Sequence, residues 1–232
     1  MKLSKRLSKI VEMTPPCLSV ADVGTDHGYV PCALLLADKV KRVIASDVNR
    51  KPLEKAVMTS KGYNLESLIE FRLGSGLEVL SKGEVNGAII AGMGGELTQE
   101  ILEKSMNLVK ELDFLLLQPA QNQPSLRRYL YAGNYDILKE ELVQEIDGRF
   151  YEFFLVRYQE KSPEILEEAM DYLISPRLRK DQHPLLKEFI ESKIVELESI
   201  QEKLDQSFQS SRNKNLELTN QKKYLKEMLL WL

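Results

Sequence analysis

Compact apolar runs at residues 18–23, 43–47, 69–73, 88–91 and 114–117 alternate with stretches whose apolar positions recur at helical spacing. Helices are predicted over 31–37, with Pro31 in the first turn, from Asn49 as cap to Lys61, over 96–104, and from about Gln123 to Tyr131. Near-continuous apolar strands separated by helices imply a parallel sheet covered on both faces, an α/β fold. An earlier amphipathic helix is expected within 1–12, where Leu3, Leu7, Ile10 and Val11 share a face before Pro15-Pro16. The rhythm then breaks. Residues 135–146 and 150–158 read as strands joined at Asp147-Gly148, a hairpin signal that brings the strand count to seven.

Beyond 160 the pattern is helical. Leu186, Ile190, Leu197, Ile200 and Leu204 form one expected seam, and Leu218, Leu225, Leu229 and Leu232 another, after the polar stretch 209–215. Two such helices read as an antiparallel coiled-coil hairpin. Composition supports this division: all 12 glycines fall between Gly24 and Gly148, and the last proline is Pro184. The expected organisation is therefore a ligand-binding domain at 1–160 and a helical domain at 161–232.

The net charge of −3 argues against indiscriminate nucleic-acid binding, so a nucleic-acid partner would have to meet local patches. Candidates are Lys2, Lys5, Arg6 and Lys9 on the first helix, Arg127-Arg128 after the fifth strand, and a tail stripe of Arg212, Lys214, Lys222, Lys223 and Lys226. Cys17 and Cys32 lack disulfide or zinc-site spacing, and no metal is expected. No apolar stretch has the length of a membrane span, and no secretory h-region follows the basic N-terminus. A cytoplasmic location is expected, for a monomer or a dimer formed through the tail.

In a doubly wound sheet the ligand sits beyond the carboxyl ends of the strands, next to the first. The loop there is Asp22-Val23-Gly24-Thr25-Asp26-His27-Gly28-Tyr29. Asp26 takes the place of the second glycine in a dinucleotide fingerprint, and its carboxylate would repel a pyrophosphate. The same charge suits an ammonium or sulfonium centre. Asp47 closes the second strand, where an acid holds ribose hydroxyls in nucleotide-binding folds, and Val48 follows it. Helix capping is the alternative role for Asp47. Gly74-Ser75-Gly76 ends the third strand and Gly92-Met93-Gly94-Gly95 the fourth. The fourth loop offers only backbone groups and a thioether, which favours an acceptor atom with an exposed lone pair.

The stretches Asp22 to Pro31, Ile90 to Gly95, Leu116-Leu117-Gln118-Pro119 and Gly148-Arg149-Phe150-Tyr151-Glu152 closely resemble the bacterial tRNA (adenine(22)-N1)-methyltransferases. The resemblance spans most of the chain, including residues 76–79 and Ser175-Pro176. It implies a Rossmann-like class I methyltransferase sheet of seven strands, S-adenosyl-L-methionine as cofactor, and tRNA as partner. The implied cofactor residues are Asp22, Gly24, Asp26, His27, Asp47, Val48, Ser75, Gly76, Gly92 and Met93. Those implied for the substrate are Tyr29, Gly94, Gln118, Pro119, Arg127, Arg128, Lys5 and Arg6. Asp26 and Tyr29 carry the catalytic expectation, as ammonium anchor and as a wall for the target base. His27 is read as shaping the loop, with a general base as the alternative.

The chain departs from the family's usual residues at Gly28, Asp47, Ser75 and Ala120; an alanine at 120 cannot hydrogen-bond to an acceptor. Two other functions fit the residues alone: methylation of a different acceptor, and nonenzymatic cofactor binding by an interaction protein.

Overall fold

The computed structural model describes residues 1–160, 166, 169–205 and 212–232. The chain divides into two compact units, Met1–Leu166 and Glu167–Leu232. The first residues of the expected helical domain, 161–165, residues 209–211 of the polar stretch 209–215, and the Arg212 side chain lie outside the described residues, whereas 212–215 are helical.

In the first unit, α1 (Lys5–Met13) precedes β1 (Ser19–Val23), α2 (Tyr29–Leu36), β2 (Arg42–Asp47), α3 (Arg50–Gly62) and β3 (Ile69–Leu73). Then come β4 (Gly87–Gly94), α4 (Gly95–Lys104), α5 (Met106–Val109), β5 (Phe114–Gln121), α6 (Gln123–Ala132), β6 (Tyr135–Gln144) and β7 (Phe150–Tyr158). The strands form one seven-stranded sheet ordered β3-β2-β1-β4-β5-β7-β6. The first five are parallel, and β7 enters antiparallel between β5 and β6. The chain thus reverses strand order beside β1, and the carboxyl ends of β1 to β5 lie on one edge, the edge where ligands bind in such sheets.

The strands are apolar because both faces are covered. Val20, Ile89, Leu116 and Phe153 from neighbouring strands share a core with Ile10 and Met13 of α1 and Leu34 of α2. Helix α1 is capped by Ser4, whose hydroxyl accepts from the Leu7 amide. Asn49 begins α3 without a side-chain capping bond; the nearby Asp47 carboxylate instead accepts from the Asn49 amide at 2.7 Å.

The glycine stretch 92–94, expected to be a turn, is part of β4. Its pairing continues past a bulge, with Met93 opposite Pro119 and Gly94 opposite Gln121. Strand β5 is correspondingly longer than its apolar run, because backbone pairing to β4 carries it on through polar residues. The hairpin turn falls at 145–149, around Asp147-Gly148.

Arg127 was expected to meet the substrate and does not. It is fully buried on the sheet side of α6, where Nε donates to Glu140 Oε1 at 3.1 Å and Nη2 donates to Glu152 Oε2. Tyr131 donates its hydroxyl to the other oxygen of Glu140, and the guanidinium lies over the Phe154 ring. Burial works against the charge, but the two carboxylates outweigh it and hold Arg127 above its ordinary pKa. Two strands of the hairpin are thereby locked to α6.

In the second unit, α7 (Pro176–Lys180) is capped by Ser175 and followed by α8 (Leu186–Asp205) and α9 (Arg212–Leu229). The long helices run antiparallel: Gln201 hydrogen-bonds Thr219, and Lys226 reaches Glu198. The buried positions are Leu186, Phe189, Ile190 and Ile194 on α8, and Leu218 and Leu225 on α9. Ile200 and Leu232, expected in the seams, are exposed. Among the described residues no helix is long and apolar enough to cross a membrane.

The buried network sets a stability prediction. Arg127→Leu leaves two buried carboxylates without their cation and should cost about 3–5 kcal/mol in urea denaturation. A loss below about 1 kcal/mol contradicts this account.

Candidate functional site

The site is built on the loop from β1 to α2. After Asp22 and Val23 the chain turns at Gly24, with φ at 77°, and the amides of Gly24 and Thr25 both donate to the Ser46 carbonyl at 2.8 Å. This hooks the loop onto the end of β2. His27 and Gly28 follow with φ of 61° and 67°, and the left-handed Gly28 caps α2. A Cβ at Gly28 would lie 2.9 Å from the Ala56 backbone, so α3 packs where only glycine leaves room. A Cβ at Gly24 would collide with the Met93 methyl, which crosses from β4. The loops of β1 and β4 interlock at this point.

The turn separates two acids. Asp22 is buried at the end of β1, whereas the Asp26 side chain is 70% exposed at the loop's apex. His27 Nε2 lies 3.4 Å from Asp26 Oδ1, and its ring is stacked on Tyr29, centroids 5.5 Å apart and planes 4° from parallel. Tyr29 is 41% exposed, an aromatic face braced on one side by histidine. His27 thus shapes the apex by contact with both neighbours.

Burial pushes the Asp22 carboxyl from its ordinary 3.8 up to about 6; proximity of the Thr25 hydroxyl opposes the rise and the Asp47 charge adds to it. The buried Thr25 Oγ1 itself makes no hydrogen bond of full geometry. Among the described residues no cation pairs with this buried carboxylate at the strand end, an arrangement that suits a positively charged ligand.

Asp47 stands at the carboxyl end of β2, half-buried, and Val48 beside it is 61% exposed. Its backbone carbonyl accepts from the Gly74 amide, which draws the third loop alongside. Ser75 is exposed and Gly76 has φ of 53°. Gly92, Met93 and Gly94 complete the row at the end of β4. The expected cofactor residues therefore lie along one edge, at the ends of four adjacent strands. Two loop acids suit an ammonium and a ribose, and exposed Val48 suits the flat face of a base. The residues present fit a nucleoside bearing a cationic amino-acid chain.

At the acceptor end the structure corrects two expectations. Gln118 and Pro119 are buried and do not offer side chains to a substrate. Gln118 acts below the surface: its Nε2 donates to the Pro119 carbonyl at 2.9 Å, and its Oε1 accepts from Arg6 Nη1 at 2.8 Å. Arg6 is the group that reaches the site, with Nη1 3.7 Å from where a Cβ on Gly92 would lie. Lys5 is exposed at the start of α1, and exposed Arg128 lines a hollow with Gln99, Ser125 and Tyr129. Sequence reasoning missed Gln121, whose amide packs over Gly94, and Asn122, whose carbonyl occupies the space a Gly95 Cβ would need. Their polarity was visible, but their approach to β4 required the extended pairing. Among the described residues no cluster of His, Cys, Asp and Glu could hold a metal ion.

A methyltransferase-domain family matches residues 3–154. The tRNA (adenine(22)-N(1))-methyltransferase of Bacillus subtilis (strain 168) is 31% identical over 233 residues, covering 99% of this chain and 98% of that protein. The crystal structure of the B. subtilis M1A22 tRNA methyltransferase TrmK superposes with a TM-score of 0.81 at 31% identity, covering 98% of this chain and 99% of that one. M. capricolum TrmK, solved with the natural cofactor product S-adenosyl-homocysteine, gives a TM-score of 0.80 at 25% identity, covering 99% and 98%.

The raised Asp22 pKa carries a signed prediction. The fold favours the neutral acid, so this contribution to stability is complete below about pH 3.8 and is lost as pH rises through about 6. Asp22→Asn should therefore make the ligand-free protein more stable than the wild type at pH 7, by about 1–3 kcal/mol, with the gap closing near pH 4. Equal stability of the two proteins at every pH between 4 and 7 contradicts the assignment.

Proposed function

The chain belongs to the bacterial tRNA (adenine(22)-N1)-methyltransferase family, and from that premise we propose how its residues divide the work. It is an S-adenosyl-L-methionine-dependent enzyme that methylates N1 of adenine 22 in tRNA. When bound, the cofactor supplies a methyl group on a cationic sulfur, which adenine N1 displaces in line with its own lone pair. Neutral adenine N1 carries no proton, so the chain needs no general base; its contribution is orientation and charge placement.

In this reading Asp26 anchors the cofactor's ammonium at the loop apex, with buried Asp22 lending negative charge from beneath. Gly24 lets the backbone turn close to the ligand, and His27 holds Asp26 and Tyr29 in place. Asp47 takes the ribose hydroxyls, while Val48, Ser75 and Gly76 border the base. Gly92 and Met93 border the reacting end of the cofactor. Tyr29 and Gly94 flank the incoming adenine, which has to leave its stack to reach them. The observation that carries the assignment is the row of acids and glycines along the carboxyl edge, with buried Asp22 behind it.

We assign residues 1–160 to catalysis and 161–232 to recognition of the folded RNA. The tail contributes exposed lysines at 214, 223 and 226. We read the catalytic unit as a monomer acting in the cytoplasm, where its substrate is.

The direct test is methylation of unmodified tRNA by the purified protein, followed by nucleoside mass spectrometry and mapping of the modified position. The account expects 1-methyladenosine at position 22, and its loss when adenine 22 is replaced by guanine. Methyl transfer to another atom, or cofactor binding with no transfer to tRNA, overturns it.

A further inference from the structure

We infer that the first turn of α1 and the tip of the β6–β7 hairpin form a phosphate-gripping lip at the acceptor end of the site, with Arg6 and Arg149 as its cationic groups. The inference rests on tRNA being the substrate, and it adds where the RNA backbone beside the target adenosine is held.

Topology brings the parts together. Strand β7 runs antiparallel to β5, with Leu117 opposite Phe154, so Tyr151 and the hairpin tip rise on the edge where the parallel strands end. Helix α1 is tied to that tip by the Arg6 amide, which donates to Glu145 Oε1 at 2.7 Å. The Arg6 side chain then extends inward to Gln118 and Gly92, as described. Its guanidinium carbon lies 5.5 Å from the centroid of the Tyr151 ring, and that of Arg149 lies 6.0 Å from the same ring. Two guanidinium groups, far apart in sequence, thus converge on one aromatic ring beside the acceptor end.

The chemistry of this cluster favours a phosphodiester. Arg6 spends Nη1 on a buried amide that fixes its direction, and its Nε and Nη2 make no hydrogen bond among the described residues. A guanidinium held in this way is a preorganised fork for phosphate oxygens. Arg149 is paired with Asp147 at 2.6 Å, but both side chains are largely exposed, where such a pair contributes little and can yield to a phosphate. The Glu145 carboxylate is engaged by the α1 backbone, whose amide from Arg6 holds it below the usual carboxylate range. Ile146 at the tip is 93% exposed, an apolar side chain with little of the protein against it. An adenosine reaching into the site leaves its flanking phosphates at this rim.

Arg6 could instead be only a strut between α1 and β5, and salt dependence separates the two roles. Binding of unmodified tRNA to the full-length protein would be measured by fluorescence anisotropy across a salt series, for wild type, Arg149→Gln, Arg6→Gln and Arg6→Lys. S-adenosylhomocysteine affinity would be measured in parallel. The lip predicts tRNA affinity weakened by about 5- to 30-fold in each glutamine variant, with S-adenosylhomocysteine affinity unchanged in Arg149→Gln, whose side chain lies away from the cofactor residues. The slope of log affinity against log salt becomes shallower by about one for each arginine removed, and Arg6→Lys keeps the slope. Arg149 has no buried contact, so its variant remains informative if Arg6→Gln fails to fold. Wild-type affinity and slope in Arg149→Gln, with tRNA methylation intact, overturns the lip. A wild-type protein that neither binds nor methylates tRNA overturns the functional reading beneath it.

Discussion

A single carbonyl oxygen organises the site. The backbone oxygen of Ser46 accepts the amides of both Gly24 and Thr25, fastening the first loop to the end of the second strand. That attachment makes the chain double back within the span from Asp22 to Tyr29. One acid is left buried behind the turn and another exposed at its apex, with the His27–Tyr29 stack turned outward. Parallel pairing of Val23 with Ser46 places the carbonyl, and the apolar runs of β1 and β2 set that pairing. The local chemistry is thus a consequence of sheet register.

The loop glycines show how such a site satisfies two demands at once. Their positions after strands point to backbone meeting ligand, and that inference needs only the alternation of runs and turns. The structure adds that the missing Cβ atoms are required by the protein as well: Met93 fills the space over Gly24, and Ala56 that beside Gly28. Such contacts join residues from separate elements, so no local pattern reveals them. They also couple the loop after β1 to the end of β4, because the same Met93 that closes over Gly24 sits in the bulged end of that strand.

Much of the fold was legible because burial on both faces of a parallel sheet leaves unbroken apolar runs. The ends of β4 and β5 were not, since their last residues pair through backbone while their side chains read as turn and loop. Charge was the least transparent signal. Adjacent arginines at 127 and 128 look alike in sequence, yet the roughly 100° step between consecutive positions of helix α6 sends Arg127 into a buried pair of glutamates and leaves Arg128 exposed. The two glutamates lie on β6 and β7, where alternation marks them as inward-facing only once the register is known. Gln118 illustrates the same limit from the other direction: a polar residue at a strand end reads as a contact to substrate but serves as the buried support of Arg6.

The central claim is that Asp26, in the loop after β1, and Asp47, at the end of β2, hold the cofactor, one at its ammonium and the other at its ribose. Calorimetric titration of S-adenosylhomocysteine into the wild type, Asp26→Ala and Asp47→Ala tests this most directly. Each carboxylate, if it accepts charge-assisted or paired hydrogen bonds from the ligand, should contribute about 1.5–3 kcal/mol, roughly a 10- to 150-fold loss of affinity on removal. Affinities within twofold of wild type in both folded variants would contradict the account.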